Sequence, residues 1–356
     1  MANGSIVDSL SRRLVRGVAH GWRLGRYGAI PRLASYAGRL RSPRQLVSAW
    51  PEGDIPLGPE VAVFVHFDRA GAVREHVLAY VRALAEAGLS VVFVTNSGRL
   101  QPAAMAALQR HCAGVLVRRN IGYDFGAWRE GLERLALPRP DTEMVVIAND
   151  SVYGPLAPLR TLIDRIDLTE ADVWGLTESW QSRYHLQSYF LAFSRAAVES
   201  EAWRQFWSEV QPVPSKHWVI RTYEVGLTQA LLRGGFRARA LWPYEPLVRE
   251  AVPLPQAAEK PEARDDDDDP IHGARRQHTH RIRTAAVARI PLNPTSDLWR
   301  QLLHAGYPFL KRELLRDNPS RVLDVADWRD VALAAFDADT GPIERDLQRT
   351  LRNRAP

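Results

Sequence analysis

The chain reads as an α/β protein whose mostly parallel sheet is flanked by helices, and three observations predict this. Short apolar runs alternate with amphipathic helical stretches from residue 60 to about residue 242, the order that wraps helices around a parallel sheet. The runs are rich in Val, Ile and Phe and are bounded by turn residues, as buried strands are. Polar, chemistry-bearing residues follow several of them directly, at the strand ends where open α/β sheets bind ligands.

The elements follow in order. VAVFVHF (61–67) is the first strand, and Val73, Val77, Tyr80, Val81 and Leu84 share one face of a helix that stops at Gly88. VVFVT (91–95) completes a βαβ unit. A short helix from Pro102, a strand at 115–117, a helix carrying Phe125, Trp128, Leu132 and Leu135, and a strand at 144–148 continue the alternation. Beyond residue 150 the pattern predicts a helix at 156–166, strands at 173–177 and 188–193, helices at 196–210 and 223–233, and a strand ending near Trp242. Helical pattern returns from Leu298 to about Leu351.

Composition narrows the function classes. The 356 residues are 46% hydrophobic and 25% charged, as in an ordinary globular protein. One cysteine, Cys112, excludes an internal disulfide and a multi-thiolate zinc site. No apolar stretch is long enough for a spanning helix, and the N-terminus lacks a signal-peptide core, so the expected location is cytoplasmic.

Charge is uneven. Residues 1–49 hold nine arginines, from Arg12 to Arg44, against Asp8, so +8 resides there and the remainder carries −2 of the total +6. With Leu10, Leu14, Val18, Trp22 and Leu24 near helical spacing, this arm is read as lying on an anionic membrane surface, peripheral to the inner face of the cell membrane. A solvated terminus is the plain alternative. Nucleic acid ranks last as a partner, because no interleaved aromatic-basic motif is present. The boundaries are an arm and Pro/Gly joint at 1–59, the α/β domain at 60–248, an Asp-rich flexible insertion or linker at 249–290, and a helical C-terminal region at 291–356. Asp265 to Asp269 with His272, His278 and His280 could bind a metal, but such like-charged tracts are usually solvated.

Three clusters sit at strand ends: Phe67-Asp68 with Asn96-Ser97-Gly98; RRNIGYDFG (118–126); and Asn149-Asp150-Ser151. In the second, Gly122 and Gly126 would let backbone approach a ligand and the arginines could meet phosphate. It is not the dinucleotide-binding glycine pattern. In the third, Asp150 has an alternative as turn former and helix cap.

In this order the clusters resemble family 2 glycosyltransferases of the A-type fold. More closely, GYDFGAW (122–128), NDSVYGPL (149–156), WGLT (174–177), HLQSYFLAF (185–193), YEVGLTQ (223–229) and PFLKRELLRDNP (308–319) are similar to the rhamnan synthesis protein F family, over about residues 60–245 and 290–325. The resemblance implies an inverting transfer of a sugar, L-rhamnose from dTDP-L-rhamnose, onto a cell-surface polysaccharide or lipid-linked glycan. Another nucleotide sugar, or a non-catalytic nucleotide-sugar-binding subunit of a polysaccharide assembly complex, are the alternatives.

The resemblance also implies residue roles. Asp68 and Asn96 fall at the nucleoside end, Arg119, Asn120, Gly122 and Asp124 near the donor, and Asp150 at the metal aspartate for Mg²⁺ or Mn²⁺. Asn149 and Ser151 flank this single acid, so the diphosphate would have to complete a cation's shell. Glu224 matches the acid that activates the acceptor hydroxyl, with Asp124 in reserve; its plain alternative is to complement a helix dipole, worth about 0.3–1 kcal/mol. His185, Gln187, Trp180 and Trp218 are candidate acceptor contacts. Lys311, Arg312 and Arg316 are candidates for a diphosphate or lipid headgroup. Trp128, Trp203 and Trp207 are assigned to the core.

Overall fold

The computed structural model describes residues 45–213, 215–252 and 270–352. Most of the basic arm (1–44) and the aspartate run (265–269) lie outside them. In chain order the elements are β1 (Leu46–Trp50), β2 (Glu60–His66), α1 (Glu75–Glu86), β3 (Ser90–Thr95), α2 (Pro102–Leu108), β4 (Gly114–Arg118), α3 (Tyr123–Leu135), β5 (Met144–Asn149), β6 (Val152–Tyr153) and α4 (Leu159–Ile163). There follow β7 (Val173–Ser179), β8 (His185–Leu186), β9 (Phe190–Ser194), α5 (Arg195–Glu199), α6 (Glu201–Glu209), α7 (Lys216–Val219), a π-helical turn (Ile220–Glu224), α8 (Val225–Arg233), β10 (Ala238–Trp242) and α9 (Tyr244–Ala251). The C-terminal region comprises α10 (Pro270–Val287), α11 (Pro294–Asp297), α12 (Trp299–His304), β11 (Leu310–Lys311), α13 (Arg312–Arg316), α14 (Trp328–Phe336) and α15 (Gly341–Arg352).

Among the described residues one nine-stranded sheet runs in the order β1-β4-β3-β2-β5-β9-β7-β10, with β8 beside β7. β4, β3, β2 and β5 are parallel, and Val63 at the centre lies between Val92 and Ile147. β9 enters antiparallel between β5 and β7. The fold is therefore the expected mostly parallel sheet flanked by helices. Both faces of the central strands are covered, which explains their unbroken apolar sequence. On one face Phe64 meets Tyr80 of α1 edge-on at 5.1 Å. On the other, Trp128 of α3 is fully buried and its Nε1 donates to the carbonyls of Val63 (3.1 Å) and Ala148 (3.2 Å). Trp203 and Trp207 are also core, as expected. Each large side chain buried in this way contributes about 1.5–3 kcal/mol.

Several elements differ from the sequence expectation. The end of the basic arm, just before the Pro/Gly joint, forms β1, which pairs antiparallel with β4 and extends the sheet upstream of residue 60. The stretch 196–210 is two helices because Ser200 is extended (ψ 155°) and its hydroxyl caps α6 by accepting from the Trp203 N–H at 3.1 Å. The stretch 156–166 shortens to α4, whose preceding residue is Pro158. The segment read as a flexible linker carries α10. Ile282 of that helix is buried in the core and His278 Nε2 lies 2.8 Å from the Asp297 carbonyl. Charge composition concealed these few core-facing positions.

The C-terminal region brings β11 back onto β6 in an antiparallel pair, Lys311 beside Val152, and the Arg312 N–H donates to the Ser151 carbonyl at 3.0 Å. This pairing positions the candidate site, because it lays residues 311–312 along the turn that follows β5.

Candidate active site

A cleft of about 680 Å³ opens at the carboxyl end of β2 and β5. Its walls come from the start of α3, the turn after β5, the approach to β9, the π-helical turn, and β11 with α13. Asp124, Asp150 and Glu224, separated in sequence, all line it.

Asp124 is aimed by an unusual stretch of backbone. Gly122 (φ +87°) and Tyr123 (φ 52°) are both left-handed, which turns the chain sharply from β4 into α3. The Asn96 side chain lies beneath this turn: its Nδ2 donates to the Tyr123 carbonyl at 3.2 Å and its Oδ1 accepts from Arg118. Burial, with the neighbouring Asp150 carboxylate, pushes the Asp124 carboxyl up to about 7. Lys311 and a 2.9 Å hydrogen bond from Asn149 Nδ2 pull the other way. Asp124 therefore exchanges a proton near neutrality.

Asp150 is paired with a cation from the C-terminal region. Arg312 Nη1 lies 2.8 Å from its carboxylate and donates to its carbonyl at 2.6 Å. Behind Arg312 stands Asp346 of α15, whose Oδ2 accepts from the Tyr153 hydroxyl at 2.7 Å and lies 3.7 Å from Arg312 Nη2. Lys311 Nζ is 3.3 Å from Ser151 Oγ and 5.1 Å from the centre of the Tyr189 ring. Burial lowers the Lys311 pKa from its ordinary value, against the pull of Glu224 and two other carboxylates.

Glu224 ends the π-helical turn. Such a turn inserts an extra residue into a helix and re-aims its side chains. Tyr223 points into the core, where its hydroxyl accepts the Gln211 N–H at 2.9 Å. Glu224 points to the cleft, with Oε1 accepting the Ser188 N–H at 3.0 Å.

Asp68, Asn96, Arg119, Asn120 and Gly122 sit outside the cleft lining. Asp68 Oδ1 accepts the N–H groups of Ala70 (2.8 Å) and Ala72 (3.1 Å), closing the turn after β2. Arg119 donates its backbone N–H to Gln45 at 2.9 Å, and Arg119 and Asn120 are exposed. Space beside the glycines is occupied by protein: an added Cβ would meet Pro212 Cα at 3.1 Å from Gly122 and the Ile121 carbonyl at 2.9 Å from Gly126. Their small size lets this turn pack closely against Pro212 and Ile121. Arg118 is committed to Glu130 at 2.7 Å. His185 and Gln187 line the cleft, whereas Trp218 lines a different cavity and Trp180 is half exposed. Sequence reasoning missed Lys216, Arg221 and Ser188. Lys216 begins the four-residue α7 and Arg221 lies on the π-helical turn, both too short or irregular for helical periodicity to mark.

Asp150 is a single carboxylate whose charge Arg312 already matches. Five carboxylates face five Lys and Arg side chains around the cleft. Among the described residues no three or more His, Cys, Asp or Glu converge as metal ligands. These residues do not make a site for a Mg²⁺ or Mn²⁺ ion held by the protein's own ligands.

The fold is a mostly parallel α/β sheet flanked by helices, with a carboxylate-bearing cleft at its strand ends. Residues 91–248 match the family model for rhamnan synthesis protein F; the string 308–319, with Lys311 and Arg312, lies outside that match. An uncharacterized protein, y4gN, of Sinorhizobium fredii is 29% identical over 202 residues, 56% of this chain and 52% of that protein. The virulence protein VirA of Vibrio anguillarum is 29% identical over 228 residues, 60% of this chain and 66% of that protein. The chain thus spans less than two thirds of the length of either relative. Among solved structures, the mannosyltransferase PcManGT from Pyrobaculum calidifontis, in complex with GDP-mannose and Mn²⁺, aligns over 90% of this chain and 85% of its own at 14% identity and a TM-score of 0.32. The galactosyltransferase LgtC, with donor and acceptor sugar analogues, aligns over 49% and 70% at 14% identity and a TM-score of 0.27. Likeness at this level says nothing about donor or acceptor.

Among the described residues no helix is long and apolar enough to cross a membrane.

Proposed function

We propose that the chain is an inverting glycosyltransferase moving L-rhamnose from dTDP-L-rhamnose onto a cell-surface polysaccharide or lipid-linked glycan. The observation that carries the reading is the convergence of Asp124, Asp150 and Glu224 with Lys311 and Arg312 in one cleft at the strand ends. The family match over residues 91–248 supports the sugar class.

In the transfer, the acceptor hydroxyl oxygen bonds to the anomeric carbon as the bond from that carbon to the diphosphate oxygen breaks. The electron pair leaves on the diphosphate. The hydroxyl proton passes to a carboxylate on the opposite face. Glu224 takes that proton, its orientation set by the Ser188 N–H. A second reading gives the proton to Asp124, whose elevation to about 7 suits a base working near neutrality. Gln187 and His185 line the same cleft and are available to an acceptor. The basic arm holds the enzyme on the anionic inner face of the membrane, where a lipid-linked acceptor would be presented.

Turnover measured across a panel of nucleotide sugars, with and without a glycan acceptor, tests the reading. Release of dTDP with rhamnose appearing on the acceptor is the expected result. Turnover of a different donor replaces the sugar assignment, and donor binding without turnover favours the non-catalytic subunit. Loss of vesicle binding on deleting residues 1–44 is the expected outcome for the arm.

A further inference from the structure

The disagreement between the Asp150 site and a metal-dependent transferase has a physical resolution in β11. Resting on the nucleotide-sugar reading above, we propose that Lys311, with Arg312 behind it, binds the donor diphosphate directly and that the protein needs no divalent cation to hold it.

Three observations converge. Arg312 ties down both the carboxylate and the carbonyl of Asp150, so the charge of that acid is already met by a side chain of the protein. Lys311 Nζ lies 3.3 Å from Ser151 Oγ, so a second cation from β11 faces the turn that carries Asp150. The Lys311 stem is fixed at both ends, by β11 pairing with β6 and by the ammonium resting over the Tyr189 ring. A cation held in this way meets phosphate oxygens without reorganising, and it opposes the charge that builds on the diphosphate as the sugar leaves. Arg312 acts on Lys311's surroundings by neutralising Asp150, so it is a positioning residue, and Asp346 positions it in turn through the contact at 3.7 Å and the shared Tyr153 hydroxyl.

The test uses the full chain, with dTDP and inorganic pyrophosphate as probes in calorimetry, first in EDTA and then with Mg²⁺ or Mn²⁺ added. Binding of both probes in EDTA, unchanged by metal, is the expected result. Lys311→Met should weaken pyrophosphate by about 10- to 100-fold, the worth of one charged hydrogen bond, while Lys311→Arg retains it. Binding that appears only with metal overturns this proposal and leaves the nucleotide-sugar reading in place. Absence of dTDP binding under every condition overturns both. The EDTA comparison on the unaltered chain needs no variant to fold, and equal pyrophosphate affinity in a folded Lys311→Met protein also overturns the proposal.

Discussion

The turn after β2 and the turn after β5 are neighbours on the same sheet edge, and the sequence marks both with an aspartate. Asp68 turns inward on its own backbone and closes the loop. Asp150 is met by Arg312 from a segment 162 residues away and becomes part of the cleft. An acid at a strand end is thus an opportunity rather than a site. What separates the two is whether a distant element is brought over it.

Four changes break or sharpen this contrast. The largest effect belongs to Glu224→Gln, which keeps shape and the Ser188 contact but accepts no proton. Transfer should fall by about 10²–10⁴-fold with dTDP affinity near native. Near-normal transfer in this variant moves the base to Asp124. Arg312→Met comes next, because it strands the Asp150 and Asp346 carboxylates. Breaking a buried pair on one side costs about 3 kcal/mol, read as a lowered urea midpoint, and loss of the Arg312 charge should push the Tyr153 hydroxyl, already raised by burial, further up.

Asp124→Asn tests the proton held near neutrality. The folded carboxyl releases its proton at about 7, and an unfolded one at about 3.9. Folding therefore takes up a proton in that window. The native protein should lose stability as pH rises from about 4 to about 7, and the variant should lack this slope. If Asp124 is the base, native transfer also falls as pH drops through about 7. The smallest effect is expected for Asp68→Ala: about 1 kcal/mol of stability from two lost turn hydrogen bonds, with dTDP affinity unchanged. Weaker dTDP binding there would return Asp68 to the nucleoside end and erase the contrast between the two turns.

The sheet was legible in the sequence because its strands are buried on both faces and its helices on one, so period and composition carry the signal. The strand at 61–67, the helix face from Val77 to Leu84 and the core role of Trp128 follow from local pattern. Asp124 and Asp150, singled out on short motifs beside element ends, and Glu224, singled out by the family resemblance, line one cleft in the folded chain. Asn96, Gly122 and Gly126 stood out on such motifs too, but they hold the α3 entrance in shape.

Two facts about this protein required the tertiary structure. One is the pairing of β11 with β6, two residues on each side, too short for any periodicity to announce. The other is the π-helical turn that aims Glu224 at Ser188, an irregularity by definition. Strand and helix identity depend on neighbours a few residues away, which a sequence displays. The charge state and partners of Asp150 depend on Arg312 and, behind it, Asp346, and only the folded chain puts these side chains within a few ångströms of one another.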